Sequence, residues 1–320
     1  MAGGPSTPEL AIAAANAGGL GFIAGGYLTG STLRAAIDAV RAETSAPLGV
    51  NLFVPSVPAP RERVDAYAAT LHHEAERLGA QLGAARWDAD AFDEKIDALM
   101  KATPHLVTFT FGTPDSDAVD RLHRGGAQIG VTVTATGEAR LAAEAGADVL
   151  IVQGTEAGGH QGTFTGEAAN ETPLLDALQQ IHDVALPMIA TGGIVTAADA
   201  KAAMDAGAIG VQIGTALLCT PEAATTALHR RALLGKMFAD TVVTRAYSGR
   251  YARGLRNRFA REHLDAPNAY PEIHYLTRPL RQAATAAGDA DVPNFWAGAN
   301  WGSIREASAA EVIRSLATGL

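Results

Sequence analysis

Seven residues after Gln153, in the segment QGTEAGGHQG (153–162), His160 stands among Gly158, Gly159 and Gly162. An imidazole titrates near neutral pH, and glycines let a backbone come close to a ligand. Such a histidine suits a general base or a donor that holds an anion. The other eight histidines lack that setting. His72, His73, His123, His182, His229 and His263 fall on helical or polar segments and read as solvent-facing; His105 and His274 read as core or loop residues. No His/Cys cluster has metal-ligand spacing, so no metal site is expected. Cys219 and the serines stand outside any nucleophile signature.

Two further segments carry glycines where an anion could sit. In IATGGI and in VQIGT, Gly192-Gly193 and Gly214-Thr215 each end an apolar run and open a helical pattern. Exposed N–H groups at a helix start attract phosphate, and barrel enzymes place a phosphate site after their last two strands. The expectation is a phosphate-bearing cofactor held by Gly192, Gly193, Gly214 and Thr215. Asn51, Gln153, Gln212 and Ile213 end other apolar runs, at the same rim.

These residues need strands beneath them. Near-continuous apolar runs occur at 19–24, 48–54, 106–111, 127–133, 147–153, 187–191 and 208–214, with helical patterns between them. Strands buried on both faces read this way, as in parallel sheets. EAGADVLIVQGTEAG and DAGAIGVQIGTALL echo each other as two copies of one β-α unit. No G-x-G-x-x-G follows a strand, so a (β/α)₈ TIM barrel is preferred over a doubly wound sheet. Seven strands are found, and the turn MAGGPSTPEL leads straight into a helix; a first strand is therefore expected upstream of Met1. After Pro221 the alternation stops. The division is a barrel over 1–220 and a lid subdomain over 221–320, its last helix packing back on the barrel.

The 320 residues are 48% hydrophobic and 18% charged, enough for a large core. A net charge of −9 argues against nucleic acid and against a basic membrane patch. One cysteine and no signal peptide or membrane-length apolar run fit a cytoplasmic protein. Against the overall sign, residues 230–281 hold eleven Lys/Arg and four Asp/Glu. That stretch is either a solvated, ion-paired face or a surface that draws a small anion to the cleft.

The segments AGGPSTPELAIAAANAGGLGFIAGGY, LGVNLFVP, VQGTEAGGHQG, ATGGI, GVQIGTALL, YSGRYARGLRNRF and FWAGAN, in this order, resemble the nitronate monooxygenase family (formerly 2-nitropropane dioxygenases) over nearly the whole chain. Members are FMN-dependent TIM barrels with a lid; they convert alkyl nitronates with O₂ into carbonyl compounds and nitrite. The resemblance implies FMN contacts at Asn51, Gln153, Gly158, Gly193 and Gln212 to Thr215, with His160 as catalytic histidine and the PSTPEL turn against the flavin ring. Met1 stands where members carry the methionine of a Pro-Met pair that ends their first strand. The glycines of QGTEAGGHQG would then let the loop pass against the ring. A protonated His160 or a lid arginine would hold the nitronate anion, or His160 would deprotonate a neutral nitroalkane. A related FMN barrel, the enoyl-acyl-carrier-protein reductase type, shares EAGGH but takes hydride from NADH; Gln153 and SGRYARGLRNRF favour the monooxygenase. The same scaffold could also serve an NADH:quinone reductase or a flavin-binding barrel without activity. The assembly is undecided, a homodimer among its options.

Overall fold

The computed structural model describes residues 1–320. All seven expected strands form: β1 (Gly21–Ala24), β2 (Leu48–Phe53), β3 (Leu106–Thr110), β4 (Gln128–Val133) and β5 (Val149–Gln153), then, after a short β6 (Gly159–His160), β7 (Met188–Thr191) and β8 (Gly210–Gln212). The seven pair in parallel, in the order β1-β2-β3-β4-β5-β7-β8. The register runs Gly21 to Leu48, Gly49 to Leu106, Leu106 to Gln128, Gly130 to Val149, Leu150 to Met188 and Ile189 to Gly210. Each crossover between neighbours carries at least one helix, which parallel pairing requires. β3 and β5 are buried along their whole length, as their unbroken apolar runs dictate. The result is a curled sheet of the TIM-barrel type, with β1 and β8 at its edges.

The chain's two ends meet at those edges. The helix Pro8–Asn16 starts on Thr7, whose side chain accepts from Leu10 N–H at 3.0 Å. The last helix, Ala309–Ala317, opens with a capping box between Ser308 and Glu311. It packs on both Pro8–Asn16 and the helix Ala197–Asp205 that precedes β8. Ala309, Val312 and Leu316 thereby join the same 42-residue core as the barrel strands.

A second layer covers the C-terminal ends of the strands. β9 (Thr241–Thr244) and β10 (Ala252–Leu255) form an antiparallel sheet with β6, in the order β6-β10-β9. His160 pairs with Ala252, and Gln161 N–H donates to the Tyr251 carbonyl at 2.8 Å. His160 therefore sits in a two-residue strand and not in a free loop as expected; a run that short has no periodicity to read. The layer has its own core: Tyr247, Phe259, Ile273, Leu276 and Leu280 from the C-terminal part meet Val64, Tyr67, Leu71 and Ala75. The latter come from the helices Arg61–Thr70 and His72–Leu78 and from Leu71 between them, a stretch that leaves the barrel between β2 and β3 to pack here. Tyr67 Oη donates to the Ala246 carbonyl at 2.7 Å, and Glu74 takes both Arg77 and Arg258. No helix is long and apolar enough to cross a membrane.

Candidate active site

Barrel rim and cover enclose a cavity of about 400 Å³, within the range of small-molecule sites. Asn51, Gln153, Gly158, His160, Gly192, Gly193, Gln212, Ile213, Gly214 and Thr215 all line it, as do residues 1–5 of the opening turn. The strand-end residues and His160 thus come to one place, while Gly162 and residues 6–10 of the opening turn lie outside the lining.

The strand ends are fixed by their own side chains. Asn51 Nδ2 donates to the hydroxyls of Thr108 and Thr110, each at 3.0 Å, leaving its carbonyl oxygen for other partners. The Gln153 amide clasps the following segment: Gly162 N–H donates to its Oε1 at 2.7 Å, and its Nε2 donates to the His160 carbonyl at 3.2 Å.

The glycines of this segment answer to protein atoms. A Cβ on Gly158 would lie 2.5 Å from the Gly298 nitrogen; one on Gly162 would meet Thr132 at 2.7 Å; one on Gly154 would meet Leu174 at 2.6 Å. Close approach to the 297–298 backbone, to β4 and to a helix start requires these three, whereas Gly159, at φ +77°, has open space at its Cβ position and lines the cavity. Gly192 and Gly193 have φ of +117° and +71°, a conformation that L side chains rarely adopt. No protein acceptor takes the N–H of Gly193, Gly214 or Thr215, which leaves these donors for an anion. The Thr215 hydroxyl, in contrast, already accepts from Gly298 N–H at 2.9 Å.

His160 packs edge-on to Phe111 and Tyr270 and beside Trp296, with ring centroids 5.5–5.8 Å away. Its Nε2 lies 2.8 Å from Ser248 Oγ. That hydroxyl faces the Arg250 carbonyl at 3.3 Å and the Arg250 N–H at 3.4 Å. All groups are satisfied if Ser248 donates to the carbonyl and accepts from Nε2–H. Nδ1, which has no protein partner, then keeps its lone pair. Burial, then the charges of Arg250 and Arg281, push the His160 pKa down to about 3. The imidazole keeps some surface toward the cavity but is enclosed by protein, so desolvation dominates. It is neutral, and the expected anion-holding imidazolium is corrected to a neutral ring.

Three polar residues of the cavity were not named for the site from the sequence, although the third falls within the 230–281 stretch read as able to draw an anion. His229, expected at the surface, is buried on the helix Ala227–Leu234 against Phe295. Burial lowers its pKa to about 4, and its Nε2 has no partner. Its buried neighbour Thr225 also has an unpartnered hydroxyl, and both residues line the cavity. His229 shares a buried stripe with Ala232 and Leu233 at spacings of three and four, a signal the basic run HRR obscured. The third is Arg281, on the helix Glu272–Ala287. The basic stretch otherwise spends itself elsewhere: Arg256 on Asp240, Arg258 on Glu74 and Glu262, Arg230 on the Thr220 and Ala223 carbonyls. His274 also lines the cavity, stacked on Tyr27 at 4.3 Å. Burial and Arg281 push its pKa to about 2.

The family model of nitronate monooxygenases matches residues 1–319. Nitroalkane oxidase from Streptomyces ansochromogenes superposes with a TM-score of 0.96 at 42% identity, over 100% of this chain and 93% of that one. FabK from Thermotoga maritima gives 0.73 at 27% identity, over 100% and 90%. A probable nitronate monooxygenase of Staphylococcus aureus is 36% identical over 311 residues, covering 92% of this chain and 85% of that protein.

Proposed function

Because the chain belongs to the nitronate monooxygenase family, a family of flavin-dependent oxidoreductases, we propose that it binds FMN and uses O₂ to convert alkyl nitronates into the carbonyl compound and nitrite. The observation that carries this is a cavity with one phosphate-type end and one proton-accepting end. At the first lie the free N–H groups of Gly193, Gly214 and Thr215, with the unpartnered Thr225 Oγ1 and His229 Nε2 in the same cavity. These donors fit a phosphate, and a single phosphate end is what FMN presents. When bound, the flavin supplies the redox chemistry, while the protein supplies orientation, charge and exclusion of water.

At the second end, His160 accepts a proton at Nδ1 while Ser248 fixes its ring through Nε2. Phe111, Tyr270 and Trp296 shield it from bulk water. A nitronate arrives already deprotonated and does not need this base; a neutral nitroalkane does. A base held near pKa 3 is poorly matched to a weak carbon acid, which favours the nitronate as the better substrate. The reductase reading rests on the shared EAGGH segment, but the 42% relation to a nitroalkane oxidase over the whole chain outweighs it.

His160→Asn tests the assignment. Turnover of a neutral nitroalkane should fall, by less than the roughly 10²–10⁴-fold of a well-matched base, while the corresponding nitronate loses much less. A flavin-loaded variant that oxidises both like the wild type would remove His160 from the chemistry. Rapid anaerobic bleaching of the flavin by NADH, with no turnover of nitronate, would replace the monooxygenase by a reductase.

A further inference from the structure

Arg281 is the one lysine or arginine lining the cavity, and no aspartate or glutamate lines it. Its three donor atoms all reach neutral acceptors: Nε to Thr277 Oγ1 at 3.1 Å, Nη1 to Asn294 Oδ1 at 2.9 Å, and Nη2 to the His274 carbonyl at 2.9 Å. Nη2 also lies 3.5 Å from His274 Nδ1; a guanidinium carries five N–H groups, so these contacts orient it and still leave an N–H on Nη1 unengaged. No carboxylate forms an ion pair with it, unlike Arg256 and Arg258 of the same layer. Burial lowers its pKa only to about 10, so it is charged at neutral pH. An enclosed charge without a counter-ion is costly. The protein tolerates that cost beside His160, whose basicity the same charge depresses.

We infer that Arg281 is the anion anchor of the site, taking the planar O–N–O group of a nitronate as a two-pronged acceptor, and that small branched carboxylates of the same shape and charge bind there as inhibitors. This rests on the nitronate reading above. A nitronate and a carboxylate both present two coplanar oxygens sharing one negative charge, the geometry a guanidinium fork matches best. The rest of the cavity lining offers no other permanent cation on a side chain. His160 and His274 are both held neutral, so neither competes for that role. The site therefore selects the deprotonated substrate by charge, before any chemistry.

The test uses purified, flavin-loaded protein and 2-methylpropanoate, the carboxylate that mimics the nitronate of 2-nitropropane. Its binding is followed by calorimetry and by perturbation of the flavin absorbance, with the uncharged 2-methylpropanamide as control. Arg281→Gln should weaken the carboxylate by about 10- to 100-fold, as expected for losing a charge-assisted pair, and leave the amide unchanged. KM for the nitronate should rise by a similar factor, with kcat changed only a few-fold. Arg281→Lys, which keeps the charge but not the fork, should recover part of the loss; it also serves if the glutamine variant folds poorly. Unchanged carboxylate affinity in a flavin-loaded Arg281→Gln protein would overturn the inference. So would a variant whose flavin dissociates or shifts its reduction potential while Arg281→Lys binds the carboxylate like the wild type, since Arg281 would then serve the flavin. Wild-type protein that binds the carboxylate but does not oxidise nitronates would refute the proposed reaction and leave the anion site standing.

Discussion

Three neutral histidines around one cavity make the fold sensitive to acid. Burial holds the pKa values of His160, His229 and His274 at about 3, 4 and 2, against about 6.5 in an unfolded chain. Between those values and 6.5 the unfolded state binds more protons than the folded one, so stability is fully present above pH 6.5 and falls as the pH falls. At pH 5 each histidine is almost fully protonated when unfolded and still neutral when folded. Each then costs about 2 kcal/mol, and the three together about 6 kcal/mol. A domain's whole stability is only about 5–15 kcal/mol. Urea unfolding of the flavin-free protein at pH 8, 6.5 and 5, so that no phosphate alters the His229 titration, should show this loss above the range where carboxylates titrate. His274→Phe keeps a flat ring on Tyr27 but removes one titration; its loss between pH 8 and 5 should be about 2 kcal/mol smaller. A wild type that loses less than about 1 kcal/mol over that range, or a variant with the wild-type slope, would refute the reasoning.

The phosphate assignment predicts opposite outcomes at two glycines. Gly193→Asp puts a side chain at φ +71° and a Cβ 2.8 Å from Glu156, and adds negative charge beside a free N–H; flavin affinity, read by fluorescence quenching, should collapse. Gly214→Ala meets only Met1, at 3.6 Å, and should retain flavin. Ser248→Ala removes the partner of His160 Nε2; turnover of a neutral nitroalkane should fall about tenfold, the worth of one hydrogen bond, with carboxylate binding unchanged.

How much could be read in advance follows from the range of the interactions. The seven parallel strands were legible because burial on both faces writes itself as an unbroken apolar run. The rim residues were legible because they end those runs. What pairs across distance was not. The Arg61–Leu78 helices show themselves as an apolar stripe, yet nothing in that stripe says that it packs on Tyr247 and Ile273, about 180 residues later. Arg281 belongs to a basic run, and only the fold separates it from arginines that end on Glu74, Asp240 or backbone carbonyls.

The glycine-rich segment shows why the distinction matters for function. Its composition suggests a flexible strip shaped by a ligand. The structure gives it two Gln153 bonds, a strand pairing at Ala252, and three glycines whose missing Cβ volume is claimed by Gly298, Thr132 and Leu174. A segment held at so many points has little freedom left for a ligand to remove. Its ordering entropy is spent when the chain folds, and His160 waits in place with Ser248 behind it and Nδ1 open. The barrel supplies Gln153 and Thr132, the covering layer supplies Ala252, Ser248 and Gly298, and His160 lies on the seam. Site geometry and the docking of the cover are therefore one equilibrium: loosening the β6–β10 pairing must disorder His160 even where every barrel strand stays intact.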